Sequence, residues 1–233
     1  TITCTIGNSC SASPEVITVS AIVGSIPSID PGGGGGVYQS GVRFSGLAYP
    51  NALVTVQKRD STILTVYADA QGAFSILVPE TSWQLFTLFA VDNFGRKSTL
   101  LNFPTVLYSG YITDISGIRF APTITTDKIS VKNGDFITIE GSALPSTEVD
   151  VVFDGPETKS FFLTSKENGV YSITVPLNLF EGEYSLRALY RGDSRTSKAL
   201  RITVGSVSLL RTEVSNNIPG DCNVDQKVTL VDF

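Results

Sequence analysis

The chain has 233 residues, with 17 Lys and Arg against 22 Asp and Glu, a formal charge of −5 and no histidine. The acidity argues against a nucleic-acid or anionic-membrane partner, which calls for a basic face. The lack of histidine excludes Ser-His-Asp and Cys-His nucleophile systems and every imidazole metal site, leaving oxygen-ligand metal chemistry.

Charged residues are 17% and hydrophobic residues 42%, a balance that folds rather than stays disordered, and the length fits two domains with separate cores. The chain starts at Thr1 and contains no Met, so it reads as a processed product. No stretch of about 18 apolar residues occurs, so no membrane-spanning helix is expected; the longest apolar candidate is Val16 to Val23.

Residues 1–24 carry two strand-like runs, Thr1 to Ile6 and Val16 to Val23. Cys4, within the first run, and Cys10, after it, flank a five-residue polar loop. In an oxidising compartment they fit a disulfide, leaving Cys222 over; three free thiols are the alternative, because spacing alone does not fix pairing. Residues 25–36 contain Pro27, Pro31 and the run Gly32 to Gly36, which has no side chains to pack and reads as a linker. That run is no phosphate loop, since the Lys-Ser/Thr of such a loop does not follow it.

From residue 37 to 109, short β-branched or aromatic runs alternate with turn residues: Val42 to Phe44, Leu53 to Gln57, Ile63 to Tyr67, Phe74 to Val78, Leu85 to Val91 and Thr99 to Phe103. This is the pattern of an antiparallel sandwich. A second series fills residues 110–205, from Ile112 through Ile129 to Val131, Phe136 to Ile139, Val149 to Phe153, Phe161 to Leu163, Tyr171 to Val175, Tyr184 to Tyr190 and Ala199 to Val204.

The two series are one unit written twice. Gly46, Pro50, Val54 and Val56 recur as Gly141, Pro145, Val149 and Val151. Gly72, Phe74, Ile76, Val78 and Pro79 recur as Gly169, Tyr171, Ile173, Val175 and Pro176. Matched turns as well as matched strands mark a tandem duplication. Phe74, Ile76 and Val78 share one face by the period of two, as do Tyr171, Ile173 and Val175, and that face is the expected core. Asn168-Gly169 supplies the positive φ of a tight hairpin. Trp83 and the other aromatic residues are expected in the core or on a sheet face.

The segments Phe44-Ser-Gly-x-Ala-Tyr-Pro-Asn-x-x-Val-Thr-Val, Asp69-x-x-Gly-x-Phe and Val91-Asp-x-x-Gly-Arg-Lys-Ser98, with the glycine run before them, resemble tandem immunoglobulin-like domains of secreted bacterial surface proteins. In that family a dockerin-type segment often follows. The expected fold is all-β: two tandem immunoglobulin-like antiparallel β-sandwiches with an N-terminal strand segment and a short C-terminal tail, residues 206–233.

Within that tail, Asp221, Asn223, Asp225, Thr229 and Asp232 stand at positions 1, 3, 5, 9 and 12 of a calcium loop, with the Lys227 carbonyl at 7. The resemblance to half of a dockerin repeat implies Ca2+ held by Asp221, Asn223, Asp225, Lys227 and Asp232. Position 6 is Gln226 where the sharp turn takes Gly, so weak binding is expected, and an acidic tail of another structure is the alternative. Arg191-Gly192-Asp193 matches the integrin tripeptide, but Gly and Asp are equally what a turn between two strands requires.

No nucleophile, base and oxyanion donor can be grouped, so an enzyme is not expected. The expected role is a non-catalytic extracellular protein at the cell surface, a fibre or filament subunit whose partners are other copies of itself. Val16, Ile17, Val19, Ala21, Ile22 and Val23 form the strand expected to add to a neighbour's sheet edge, because two isolated strands cannot bury an apolar face; the alternatives are that residues 1–23 pack on the first sandwich of their own chain or are the remnant of an upstream domain. The alternative is an adhesin or calcium-dependent anchoring module in which the sandwiches are spacers and the tail engages cell-surface or anchoring proteins.

Overall fold

The computed structural model describes residues 18–22, 40–105, 107 and 109–211. Every regular element among them is a strand: β1 (Thr18–Ile22), β2 (Gly41–Leu47), β3 (Leu53–Lys58), β4 (Ser61–Tyr67), β5 (Ala73–Pro79), β6 (Gln84–Val91), β7 (Leu101–Thr105), β8 (Ile112–Arg119), β9 (Thr125–Thr126), β10 (Lys128–Lys132), β11 (Phe136–Ser142), β12 (Glu148–Asp154), β13 (Thr158–Thr164), β14 (Val170–Pro176), β15 (Gly182–Tyr190), β16 (Leu200–Gly205) and β17 (Leu209–Leu210). No helix of the described residues is long and apolar enough to cross a membrane.

The strands build two immunoglobulin-like sandwiches. In the first, the sheet β1-β8-β2-β5 faces the sheet β4-β3-β6-β7; in the second, β14-β11-β9 faces β13-β12-β15-β16-β10-β17. The alternation read in the sequence sets the cores. Phe74, Ile76 and Val78 are buried with Val42, Phe44, Phe86 and Leu88 in the first, where the Phe44 ring meets Phe86 edge-on at 5.5 Å. Tyr171 and Val175 are buried with Ile137, Val149, Phe153 and Leu186 in the second, and Ile173 packs against that cluster half-buried.

Two expectations change. The stretch from Ile112, assigned by sequence to the second sandwich, belongs to the first: β8 pairs in parallel with β2, and Ile115, Ile118 and Phe120 enter the first core. The apolar alternation of β8 marks a strand but carries no information about which partner it takes. Asn168-Gly169 is also not a two-residue hairpin. It closes a turn in which the Gly169 N–H bonds the Lys166 carbonyl, with Gly169 at φ 76°, carrying the chain from β13 in one sheet to β14 in the other.

The repeated glycines mark close backbone approach. A Cβ on Gly46 would lie 2.0 Å from the Ile118 carbonyl oxygen, and one on its counterpart Gly141 would lie 2.1 Å from the Thr123 carbonyl oxygen. In each copy the end of the first repeat strand is therefore the place where another segment crosses closest.

Candidate functional site: the joint between the sandwiches

Since β8 runs parallel to β2, it delivers the chain to the end of the first sandwich where β2 finishes at Leu47. The short β9 then runs antiparallel to β11 and starts beside the end of β11. Consequently the sandwiches meet through equivalent ends, with residues 120–124 passing between them. Pro50 of the first sandwich packs on Gly169 of the second, so closely that a Cβ there would sit 2.5 Å from the proline Cδ.

Polar groups concentrate at this joint. Asp92 follows β6 and is 5% exposed. Its Oδ1 accepts the N–H groups of Phe94 and Arg96 at 3.0 and 2.9 Å, folding the turn. Its Oδ2 accepts the Arg96 Nε at 2.7 Å and the Thr123 hydroxyl at 2.7 Å. Arg96 reaches on to the Ser142 hydroxyl at 3.1 Å, and the Ser142 N–H donates to Thr123 Oγ1 at 2.9 Å. One carboxylate thus ties together a turn of the first sandwich, the connecting segment and, through Arg96 and Thr123, the end of β11.

Burial on its own raises the Asp92 carboxyl, but the hydrogen bonds from Thr123 and Arg96 and the guanidinium charge outweigh it and hold the group below the ordinary carboxylate range. Three tyrosines surround the network. Tyr49 donates to the Ala121 carbonyl, Tyr171 donates to the Thr123 carbonyl, and Tyr190 accepts the Leu144 N–H at 3.1 Å. Desolvation pushes all three phenols above their usual value, so they are neutral donors and acceptors throughout the physiological range.

The second copy builds its own version. Asp193 Oδ1 accepts the Arg195 N–H at 2.9 Å and Oδ2 pairs with the Arg195 guanidinium at 3.0 Å, while Arg195 Nη1 donates back to the Arg119 carbonyl at 2.8 Å. Ser98 and Ser197 play matched roles, their hydroxyls accepting the N–H groups of Ala90 and Ala188.

This settles the integrin-like tripeptide as turn chemistry. Gly192 has φ 77° at the tip, and the Asp193 carboxylate is 13% exposed and occupied by Arg195. Trp83, expected in the core or on a sheet face, is instead 61% exposed. It stands just before β6 at the end away from the joint, beside the β3–β4 hairpin, where it lines a groove of 290 Å³ with Arg59, Asp60 and Leu85. Its place before the first alternating residue of β6 leaves it no core position to fill.

Of the assembly strand, Val19, Ala21 and Ile22 lie in β1, which pairs not with a neighbour but with β8 of its own chain, and Val16, Ile17 and Val23 are outside the described residues. The calcium-loop residues Asp221, Asn223, Asp225, Lys227, Thr229 and Asp232 and all three cysteines also lie outside them. Among the described residues no cluster of three or more acidic or cysteine side chains is placed to hold a metal ion.

No family model matches the chain. No curated protein matches it either. Among solved structures it is similar to the D0-D1 domain of intimin, at 16% identity and a TM-score of 0.33 over 69% of this chain and 85% of that one. It is similar to the chicken interferon gamma receptor alpha chain at 13% identity and a TM-score of 0.31, over 72% of this chain and 99% of the receptor chain. A third structure, the BSP domain of a biofilm associated protein, has 16% identity and a TM-score of 0.26, over 72% of this chain and 29% of that one.

The joint itself was not picked out by sequence. Asp92, Arg96 and Ser98 stood within a recognised segment, but Thr123 and Ser142 carry no motif. The usable signal was the duplication, which places an acidic residue, an arginine and a serine in both equivalent turns.

Proposed function

We propose that the chain is a non-catalytic extracellular structural protein of a cell surface, assembling head to tail by exchange of β1 between copies. The observation that carries this is a mismatch of lengths. β1 pairs antiparallel with the outer edge of β8, with Ile22 opposite Ile112, while Gly41 of β2 lies opposite Ile112 on the other side. Ile22 and Gly41 are therefore two strand spacings apart, about 10 Å. Residues 23–39 join them with an extended reach on the order of 55 Å.

A tether so much longer than its gap lets the same five-position pairing form on β8 of another copy without a new contact. β2 starts at the face of the first sandwich away from the joint, so an exchanged β1 and the residues that follow it would reach out from that face. Pairing within one chain competes through an effective concentration in the millimolar range, so exchange needs crowded copies, as on a surface. The dockerin-like pattern at Asp221 to Asp232 adds a Ca2+-dependent attachment to cell-surface or anchoring proteins as part of this reading.

The test is light scattering after size-exclusion chromatography, with electron microscopy, over a concentration series with and without calcium. Large species should grow with concentration in the full chain. Removal of residues 1–23 should abolish them while both sandwiches keep their unfolding transitions. Polymers that survive that deletion, or a full chain that stays monomeric up to millimolar concentration, overturn the proposal.

A further inference from the structure

Three arginines converge on the joint, and two of them are held by carboxylates: Arg96 by Asp92 and Arg195 by Asp193. The third, Arg119, ends β8 and differs. The difference is the missing ion pair: no carboxylate among the described residues lies within ion-pair distance of Arg119, whose guanidinium lies over the Tyr190 ring at 5.3 Å and whose Nε is buried with no hydrogen-bond partner. A partly desolvated guanidinium without an anion is costly, and its planar fork is matched by a carboxylate.

Arg119 lines a groove of 430 Å³ together with Ser146, Thr147, Glu148, Tyr190 and Arg191. Ser146 is exposed and held at φ 49°, and the Thr147 hydroxyl donates to the Pro145 carbonyl, leaving its lone pairs toward new donors. Arg191 and Glu148 pair across the rim at 3.3 Å, each 60% exposed, so the pair is weak and easily exchanged.

The mixture identifies the ligand class. A sulfate brings only acceptors and would meet the carboxylate of Glu148, whereas a sugar acid brings one carboxylate for the unpaired fork and several hydroxyl donors for Glu148 and Thr147. We propose that this groove binds a carboxylate-bearing saccharide, a uronic-acid unit of an acidic glycan, with its carboxylate on Arg119 and its ring hydroxyls on Ser146, Thr147 and Glu148. The molecule then carries a glycan contact beside the joint between its sandwiches, independent of whether β1 exchanges between copies.

The experiment is a titration of the full chain with sodium glucuronate at constant ionic strength, following arginine Nε–H resonances, with glucose, sodium sulfate, acetate and a blocked aspartyl dipeptide as parallel probes. Glucuronate should shift the Arg119 signal with a millimolar Kd and bind at least tenfold more tightly than the other four. Arg119→Gln should weaken glucuronate at least tenfold. Because Arg119 stacks on Tyr190, Ser146→Asp serves as a second variant that puts a competing carboxylate at the rim without touching that stack, and it should weaken binding as much. Equal binding of the dipeptide or acetate would overturn the saccharide assignment; sulfate binding as tight as glucuronate, no shift with glucuronate, or affinity untouched by both variants would overturn the site.

Discussion

The two sandwiches share one six-strand unit and one pattern of buried residues, yet they treat the same edge in opposite ways. On β2 of the first, the full length of β8 adds in parallel and β1 adds beyond it. On β11 of the second, only Thr125 and Thr126 pair, antiparallel to Ile139 and Glu140. The rest of that edge is closed piecemeal. The Asp127 N–H and carboxylate satisfy the carbonyl and N–H of Thr138, the Lys128 ammonium reaches the Phe136 carbonyl at 2.8 Å, and Thr123 satisfies both backbone groups of Ser142. Duplication copied the core, whereas the edges were specialised: one accepts strands, and the other is guarded against them.

The largest effect that separates the copies is expected from the paired glycines. Gly46→Ala drives a methyl into the Ile118 carbonyl and must displace β8, which takes β1 with it. Gly141→Ala instead meets the Thr123 carbonyl and the Tyr171 ring, disturbing the connecting segment and the second core. Each should cost about 3 kcal/mol in denaturant unfolding, the upper end for overpacking against backbone. Hydrogen exchange distinguishes them: the first should deprotect residues 112–119 and leave β12–β15 protected, and the second should do the reverse. Equal loss of protection in both sandwiches for both variants would mean that the edges are not separately organised.

Next in size is the joint. Asp92→Asn leaves Arg96 without its counter-charge and should cost about 3 kcal/mol, as for a buried ion pair broken on one side. Asp193→Asn should cost less, because Asp193 serves its own turn and Arg195 without binding the connecting segment. The pH dependence has a definite sign. With its folded-state pKa lowered, Asp92 contributes its full stabilisation above the unfolded value, about 4, and that contribution is lost as the pH falls toward the folded one. Acid should therefore loosen the wild-type joint from about pH 4 downward, measured as a change in the relative orientation of the sandwiches, and Asp92→Asn should show that looseness already at pH 7. A variant with unchanged stability and orientation would remove Asp92 as the tie.

Most strands were legible because alternation reports local pleat and burial: Phe74-x-Ile76-x-Val78 and Tyr171-x-Ile173-x-Val175 could be read as core faces from a period of two alone. Pairing was not legible. Ile115 and Ile118 announce a strand, but whether it joins β2 or β11 depends on contacts across the molecule, so the boundary fell too early. The joint was hidden for a similar reason, since Thr123 and Ser142 matter through where the chain crosses and not through what they are. Arg119 belongs to no motif, and its missing partner is a property of the assembled groove.

The smallest expected effect on stability gives the sharpest test of the edge comparison. Asp127→Ala with Lys128→Ala removes the two side chains that cap Thr138 and Phe136 but leaves the Asp127 N–H bond to the Thr138 carbonyl. Both side chains are partly solvated, as their mutual pair with exposures of 33% and 19% shows, so the loss should stay near 1 kcal/mol or less. Self-association should change much more. Phe136 is already 59% exposed, and uncapping its neighbours offers backbone groups at 136 and 138 to an incoming strand. The double variant lacking residues 1–23 is the informative one. If β11 is held closed only by these caps, that protein should dimerise through the second sandwich even though it has no β1 to donate, whereas a strict monomer would show that Thr123 to Thr126 alone keep the edge shut.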